Sequence, residues 1–113
     1  MSQITTHILD TSRGKPAVGV QITLERPTVH GTWITIGKGE TNWDGRIPDL
    51  LAKDILLEPG VYRLIFDTGA YFKGQGVKAF YPSVMIVFET VDMSHYHVPL
   101  LLNPFGYSTY RGS

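Results

Sequence analysis

Val18-Gly19-Val20-Gln21-Ile22-Thr23-Leu24-Glu25 alternates apolar and polar side chains without interruption. Successive side chains of a strand point to opposite faces, so this alternation puts Val18, Val20, Ile22 and Leu24 on one face. The other face carries Gly, Gln, Thr and Glu, as in an antiparallel strand with one side on a core and one in water. Working outward, residues 61–67 repeat the pattern, with Tyr62, Leu64 and Phe66 on one side and Arg63 and Asp67 on the other. Trp33-Ile34-Thr35-Ile36 is a third β-rich run. Val84-Met85-Ile86-Val87-Phe88 is continuously apolar, which predicts cover on both faces, by the core and by a neighbouring subunit. Residues 4–9 and 95–102 complete the set, with a shorter strand candidate at Tyr71-Phe72.

Turn chemistry separates these runs. Arg13-Gly14-Lys15-Pro16, Val29-His30-Gly31, Asn42-Trp43-Asp44-Gly45 and Glu58-Pro59-Gly60 each offer residues suited to tight reversals. Residues 49–55 read as a short helix of about two turns, with Asp49 as its N-cap. Short strands at close spacing predict an all-β sandwich of seven or eight strands with one short helix.

The chain has 113 residues, which is one domain, residues 1–113. A domain of this length buries roughly two-thirds of its unfolded surface, enough for a core without staples. Ten basic and ten acidic residues cancel, so no electrostatic case exists for nucleic acid. The chain has no cysteine, which removes disulfides, thiolate chemistry and thiol-rich metal sites. No signal-peptide pattern opens the sequence, no apolar run reaches a bilayer span, and no Ser-Lys-Leu address closes it. The expectation is a cytoplasmic protein without a membrane partner.

Four histidines are present: His7, His30, His95 and His97. His30 sits in a turn and reads as solvated. Alternation places His7 with Thr5 and Leu9, opposite Ile4, Thr6 and Ile8. It places His97 with His95, Pro99 and Leu101, opposite Tyr96, Val98, Leu100 and Leu102. An outward face mixing imidazole, Leu and Pro is poor solvent surface and good cleft or interface surface. No third ligand stands at zinc spacing, so no metal site is expected. The sequence closes with Ser108-Thr109-Tyr110-Arg111-Gly112-Ser113, a polar tail directly after the apolar run, and this reads as a segment folded into a site. Arg46, after the Asp44-Gly45 turn, reads in isolation as a solvated turn residue.

Three blocks join these residues to a known family. They are Thr6-His7-Ile8-Leu9-Asp10-Thr11-Ser12-Arg13-Gly14-Lys15-Pro16-Ala17, then Thr41-Asn42-Trp43-Asp44-Gly45-Arg46, and the segment HYHVPLLLNPFGYSTYRGS from His95 onward. Together they resemble the 5-hydroxyisourate hydrolases, the transthyretin-related proteins of purine breakdown. Tyr110-Arg111-Gly112-Ser113 is the motif that separates these hydrolases from the hormone-carrying transthyretins. Asn103 departs from the pattern, where Ser is more usual. The resemblance implies a prealbumin-like (transthyretin-like) sandwich of two four-stranded sheets. It implies a homotetramer, a dimer of dimers, with active-site clefts at the interface. It implies cofactor-free hydrolysis of 5-hydroxyisourate to 2-oxo-4-hydroxy-4-carboxy-5-ureidoimidazoline, with His7, Arg46 and His97 catalytic. Tyr110, Arg111, Gly112 and Ser113 would bind substrate. The alternative expectation is a transthyretin-like carrier of a small ligand, without catalysis.

Overall fold

The computed structural model describes residues 2–113. Eight strands and one helix follow in the order β1 (Ile4–Asp10), β2 (Lys15–Pro16), β3 (Gln21–Pro27), β4 (Trp33–Glu40), β5 (Gly60–Phe66), α1 (Thr68–Lys73), β6 (Val84–Thr90), β7 (Tyr96–Asn103) and β8 (Gly106–Thr109). They form two four-stranded sheets, ordered β2-β1-β7-β8 and β4-β3-β5-β6. Every pairing is antiparallel except β1 with β7, which is parallel and aligns Ile4 with Tyr96 through Asp10 with Leu102.

The core lies between the sheets and is the apolar half of each alternation. Ile4 and Ile8 of β1, Ile22 and Leu24 of β3, Leu64 and Phe66 of β5, and Leu100 and Leu102 of β7 are buried. Each such side chain contributes about 1.5–3 kcal/mol of transfer free energy. Buried Thr6 stays compatible with this core because its hydroxyl donates to the Val98 carbonyl at 2.6 Å.

Three details differ from the sequence reading. The strand expected from Val18 begins at Gln21, because the chain bends at Gly19 (φ 82°) and leaves Val18 exposed. Residues 49–55 are not helical. Leu51 N donates outside the segment to Ser2 Oγ at 3.0 Å, Ile55 N closes a single turn on Ala52 O, and Leu50 and Leu51 drop into the core. The one short helix is Thr68–Lys73, where Tyr71-Phe72 had read as a strand. Asp67 caps it by accepting from Ala70 N, and Thr68, Tyr71 and Phe72 are its buried face. Spacing of i, i+3, i+4 is the helical period. Within the chain the core covers one face of β6, and cover of the other was expected from a neighbouring subunit. Val84 and Ile86 are buried, whereas Met85 and Val87 are 49% and 57% exposed.

Candidate active site

The outer face of the β2-β1-β7-β8 sheet carries the odd-numbered side chains of β1 and β7, among them Thr5, His7 and His97. The parallel register sets Thr5 beside His97 and His7 beside Pro99, so the two imidazoles lie one strand apart and two residues along. Strand spacing and rise put their Cα atoms about 8 Å apart. Two further backbone bridges extend this row. Arg46 pairs antiparallel with His7, and Gly112 pairs antiparallel with His97. Four segments distant in sequence therefore present Arg46, His7, His97 and Gly112 side by side.

Local chemistry fixes each member. Asn42 Oδ1 accepts from Asp44 N at 2.9 Å and from Arg46 N at 3.1 Å, an Asx-type clamp on the turn. Ile8 N donates to Gly45 O at 2.9 Å and binds that turn to β1. A residue with a Cβ does not fit at Gly45: φ is 75°, and the added carbon would stand 2.5 Å from the Ile8 carbonyl oxygen. Arg46 Nε donates to Asp44 Oδ2 at 3.1 Å while its side chain stays about half-exposed. At the other end Gly112 N donates to His97 O at 2.8 Å, tying the tail to β7.

Thr5, Asn42, Asp44, Arg46, His97 and Ser113 line a groove of about 500 Å³. His7 Nε2 is buried beside it without a hydrogen-bond partner. An orphaned buried nitrogen costs about 1–3 kcal/mol, so it is a position where an incoming polar group gains a bond. Burial lowers the pKa of His7 first, then the Arg46 guanidinium; Asp44 opposes through its charge and a backbone hydrogen bond. Burial also lowers that of His97, followed by Arg46, His95 and His7, against a raising hydrogen bond from the ring to the Thr5 backbone carbonyl. Both rings are therefore biased toward the neutral form near pH 7, able to accept a proton. Arg46 supplies a fixed positive charge and planar donors beside them. Among the described residues no three His, Cys, Asp or Glu side chains gather to hold a metal ion.

The tail divides. Gly112 bridges to His97 and Ser113 reaches the groove, whereas Arg111 turns away, its guanidinium carbon 4.6 Å from the centre of the Tyr96 ring. Tyr110 and Arg111 line a neighbouring depression of about 220 Å³ between β6 and β8, which also touches His97. Sequence reasoning did not single out Thr5, whose hydroxyl lies 2.8 Å from both His97 Nδ1 and His95 Nε2. Its signal was present as a polar residue sharing the outer face with His7.

This sandwich with its histidine-and-arginine groove matches a defined class: residues 4–112 fit the HIUase/Transthyretin family, and the chain belongs to it. A mouse 5-hydroxyisourate hydrolase is 46% identical over 99% of this chain and 96% of its own length. The structure of a Klebsiella pneumoniae 5-hydroxyisourate hydrolase superposes with a TM-score of 0.86 at 40% identity, over 97% of this chain and 98% of that one. Sea bream transthyretin, solved in complex with thyroxine, superposes with a TM-score of 0.91 at 34% identity, over 98% and 95%. The backbone is thus shared with a 5-hydroxyisourate hydrolase and with a transthyretin solved with thyroxine, so the fold alone does not separate the two.

Proposed function

We propose that the protein hydrolyses 5-hydroxyisourate, opening its six-membered ring at an acyl C–N bond to give 2-oxo-4-hydroxy-4-carboxy-5-ureidoimidazoline. The observation that carries this reading is the placement of His97 and Arg46 in one groove with His7 bridged to Arg46 at its edge, both imidazoles being held toward neutrality. Hydrolysis needs an activated water, a stabilised oxyanion and a proton for the leaving nitrogen. His97, open to the groove, takes the proton from water as the new C–O bond forms. Arg46 donates to the carbonyl oxygen as it gains charge, a contribution of about 3 kcal/mol where one such donor is removed. The C–N bond then breaks, and an imidazolium returns the proton to the departing nitrogen. His7, whose Nε2 lacks a partner, holds a polar edge of the substrate or serves in that return. Ser113 brings its hydroxyl to the groove for the planar ring, Gly112 holds the tail against β7, and Tyr110 and Arg111 bound the neighbouring depression.

Assembly completes the site in this reading. The half-buried outer face around His7 and His97, and the exposed Met85 and Val87 on edge strand β6, are surfaces for a homotetramer built as a dimer of dimers. The carrier alternative draws on the likeness to transthyretin. Mixing the protein with freshly generated 5-hydroxyisourate and following its ultraviolet decay separates the two. Acceleration proportional to protein concentration supports the hydrolase, and decay at the uncatalysed rate leaves the carrier.

A further inference from the structure

The Thr5 hydroxyl stands between two imidazoles, 2.8 Å from His97 Nδ1 and 2.8 Å from His95 Nε2, and the rings stack with centres 6.4 Å apart. A hydroxyl owns one proton and can donate it to one acceptor only. Two bare ring nitrogens cannot both be satisfied by it, so at least one of the facing nitrogens carries hydrogen. If both carry hydrogen, both donate to Oγ1 and the hydroxyl proton serves neither ring. Two arrangements use all the hydrogen-bonding capacity, and they differ in direction. In one, His97 Nδ1–H donates to Thr5, and Thr5 donates to a bare His95 Nε2. In the other the sequence runs backward, and His97 carries its proton on Nε2.

We propose that Thr5 and His95 act as positioning residues that fix the tautomer of His97, with hydrogen on Nδ1 and a lone pair on Nε2. Nδ1 is engaged by Thr5, so Nε2 is the nitrogen left for the groove, which His97 shares with Arg46. A guanidinium favours a lone pair over an N–H bond facing it, and this selects the forward direction. His95 is exposed and loses nothing in that arrangement, because its Nδ1–H is free to meet water. The one carboxylate side chain lining that groove, Asp44, is engaged by Arg46 Nε at 3.1 Å, which leaves the guanidinium as the charge that acts on His97 from this side. The consequence for turnover rests on His97 being the base; the tautomer itself does not.

Long-range proton–nitrogen correlation spectra of the free protein, labelled with ¹⁵N and held above the imidazole titration range, read each ring nitrogen directly. The wild type is expected to show His97 protonated at Nδ1 and bare at Nε2, with His95 bare at Nε2. Thr5→Val keeps the shape and deletes the hydroxyl; His95→Ala deletes the acceptor. Both shift the His97 signals toward the Nε2–H form, whereas Thr5→Ser retains the wild-type pattern. Catalytic efficiency then falls about tenfold in Thr5→Val, the order of one neutral hydrogen bond, and recovers in Thr5→Ser. A wild-type His97 protonated at Nε2, or a pattern unmoved by Thr5→Val and His95→Ala, overturns the inference. If the wild type fails to hydrolyse 5-hydroxyisourate while the tautomers behave as described, only the proposed function falls.

Discussion

Replacing Gly112 by Ala tests the site with one methyl group. A Cβ there would lie 2.6 Å from His97 Cδ2 and 3.1 Å from Pro99 Cγ. Carbon atoms in contact settle at about 3.5–4.0 Å, so something must move by about 1 Å. The tail backbone is held by the bond from Gly112 N to His97 O, which leaves the imidazole as the softer partner. Moving the ring by that amount stretches its contact with Thr5 from 2.8 Å out of hydrogen-bond range. Misplacing a reacting group by about 1 Å costs on the order of 10²-fold in rate. Initial rates of ultraviolet decay across a range of substrate concentrations give kcat/KM, and circular dichroism melts report the fold. Gly106→Ala is the matched control from the same hairpin, since its Cβ would meet only the Asn103 side chain at 3.7 Å. The reasoning is refuted if Gly112→Ala keeps the wild-type kcat/KM with an unchanged melt.

Further tests bear on single groups. His97→Asn is expected to lower turnover by about 10²–10⁴-fold with the melt preserved, and full activity in that variant removes it from the chemistry. Arg46→Lys keeps the charge and loses the planar fork, so kcat should drop while the Asp44-Gly45 turn persists by circular dichroism. Burial and Arg46 hold both imidazoles below 6.5, so kcat/KM should be level at neutral pH and decline only under the ordinary imidazole range. An acid limb centred at or above that range contradicts the assignment. Folding stability follows the same sign: it is complete above about 6.5, where the unfolded rings are neutral, and is lost as pH falls toward the lowered folded values. Asp10→Asn should cost about 2–3 kcal/mol in urea titrations, because buried Asp10 accepts from Ser12, Arg13 N and the Tyr71 hydroxyl. There burial raises the carboxyl pKa, and those hydrogen bonds outweigh it to leave the value lowered.

The strands were legible where one face meets the core, because burial imposes period two on β1, β3, β5 and β7 directly. The helix was misplaced for a physical reason. Asp49 and Asp67 both suit a cap, and only tertiary contacts decide: Leu51 and Leu57 bond to Ser2 and Gln3, whereas Tyr71 anchors α1 on Asp10. Strands β2 and β8 escaped notice because two residues, or a polar run of four, carry no periodic signal of burial. In the site, the face of His7 and His97 could be read from alternation. Their adjacency could not, since it depends on a parallel pairing between residues some 90 positions apart, which Thr6 and Val98 exemplify with a separation of 92. Arg46 gave no local sign at all beyond its turn, and its place follows from the bridge to His7.

That one parallel pairing also dictates when chemistry can first appear in the life of a molecule. Joining Thr6 to Val98 closes a loop of 92 residues, an entropic cost of about 4 kcal/mol before any contact repays it. In the β4-β3-β5-β6 sheet the widest pairing sets Ile22 against Phe66, 44 residues on, a closure about 0.6 kcal/mol cheaper and available earlier as the polypeptide emerges. A chain holding that sheet alone has half its sandwich and no site. Competence cannot precede the late moment when the final ribbon slides in beside the first.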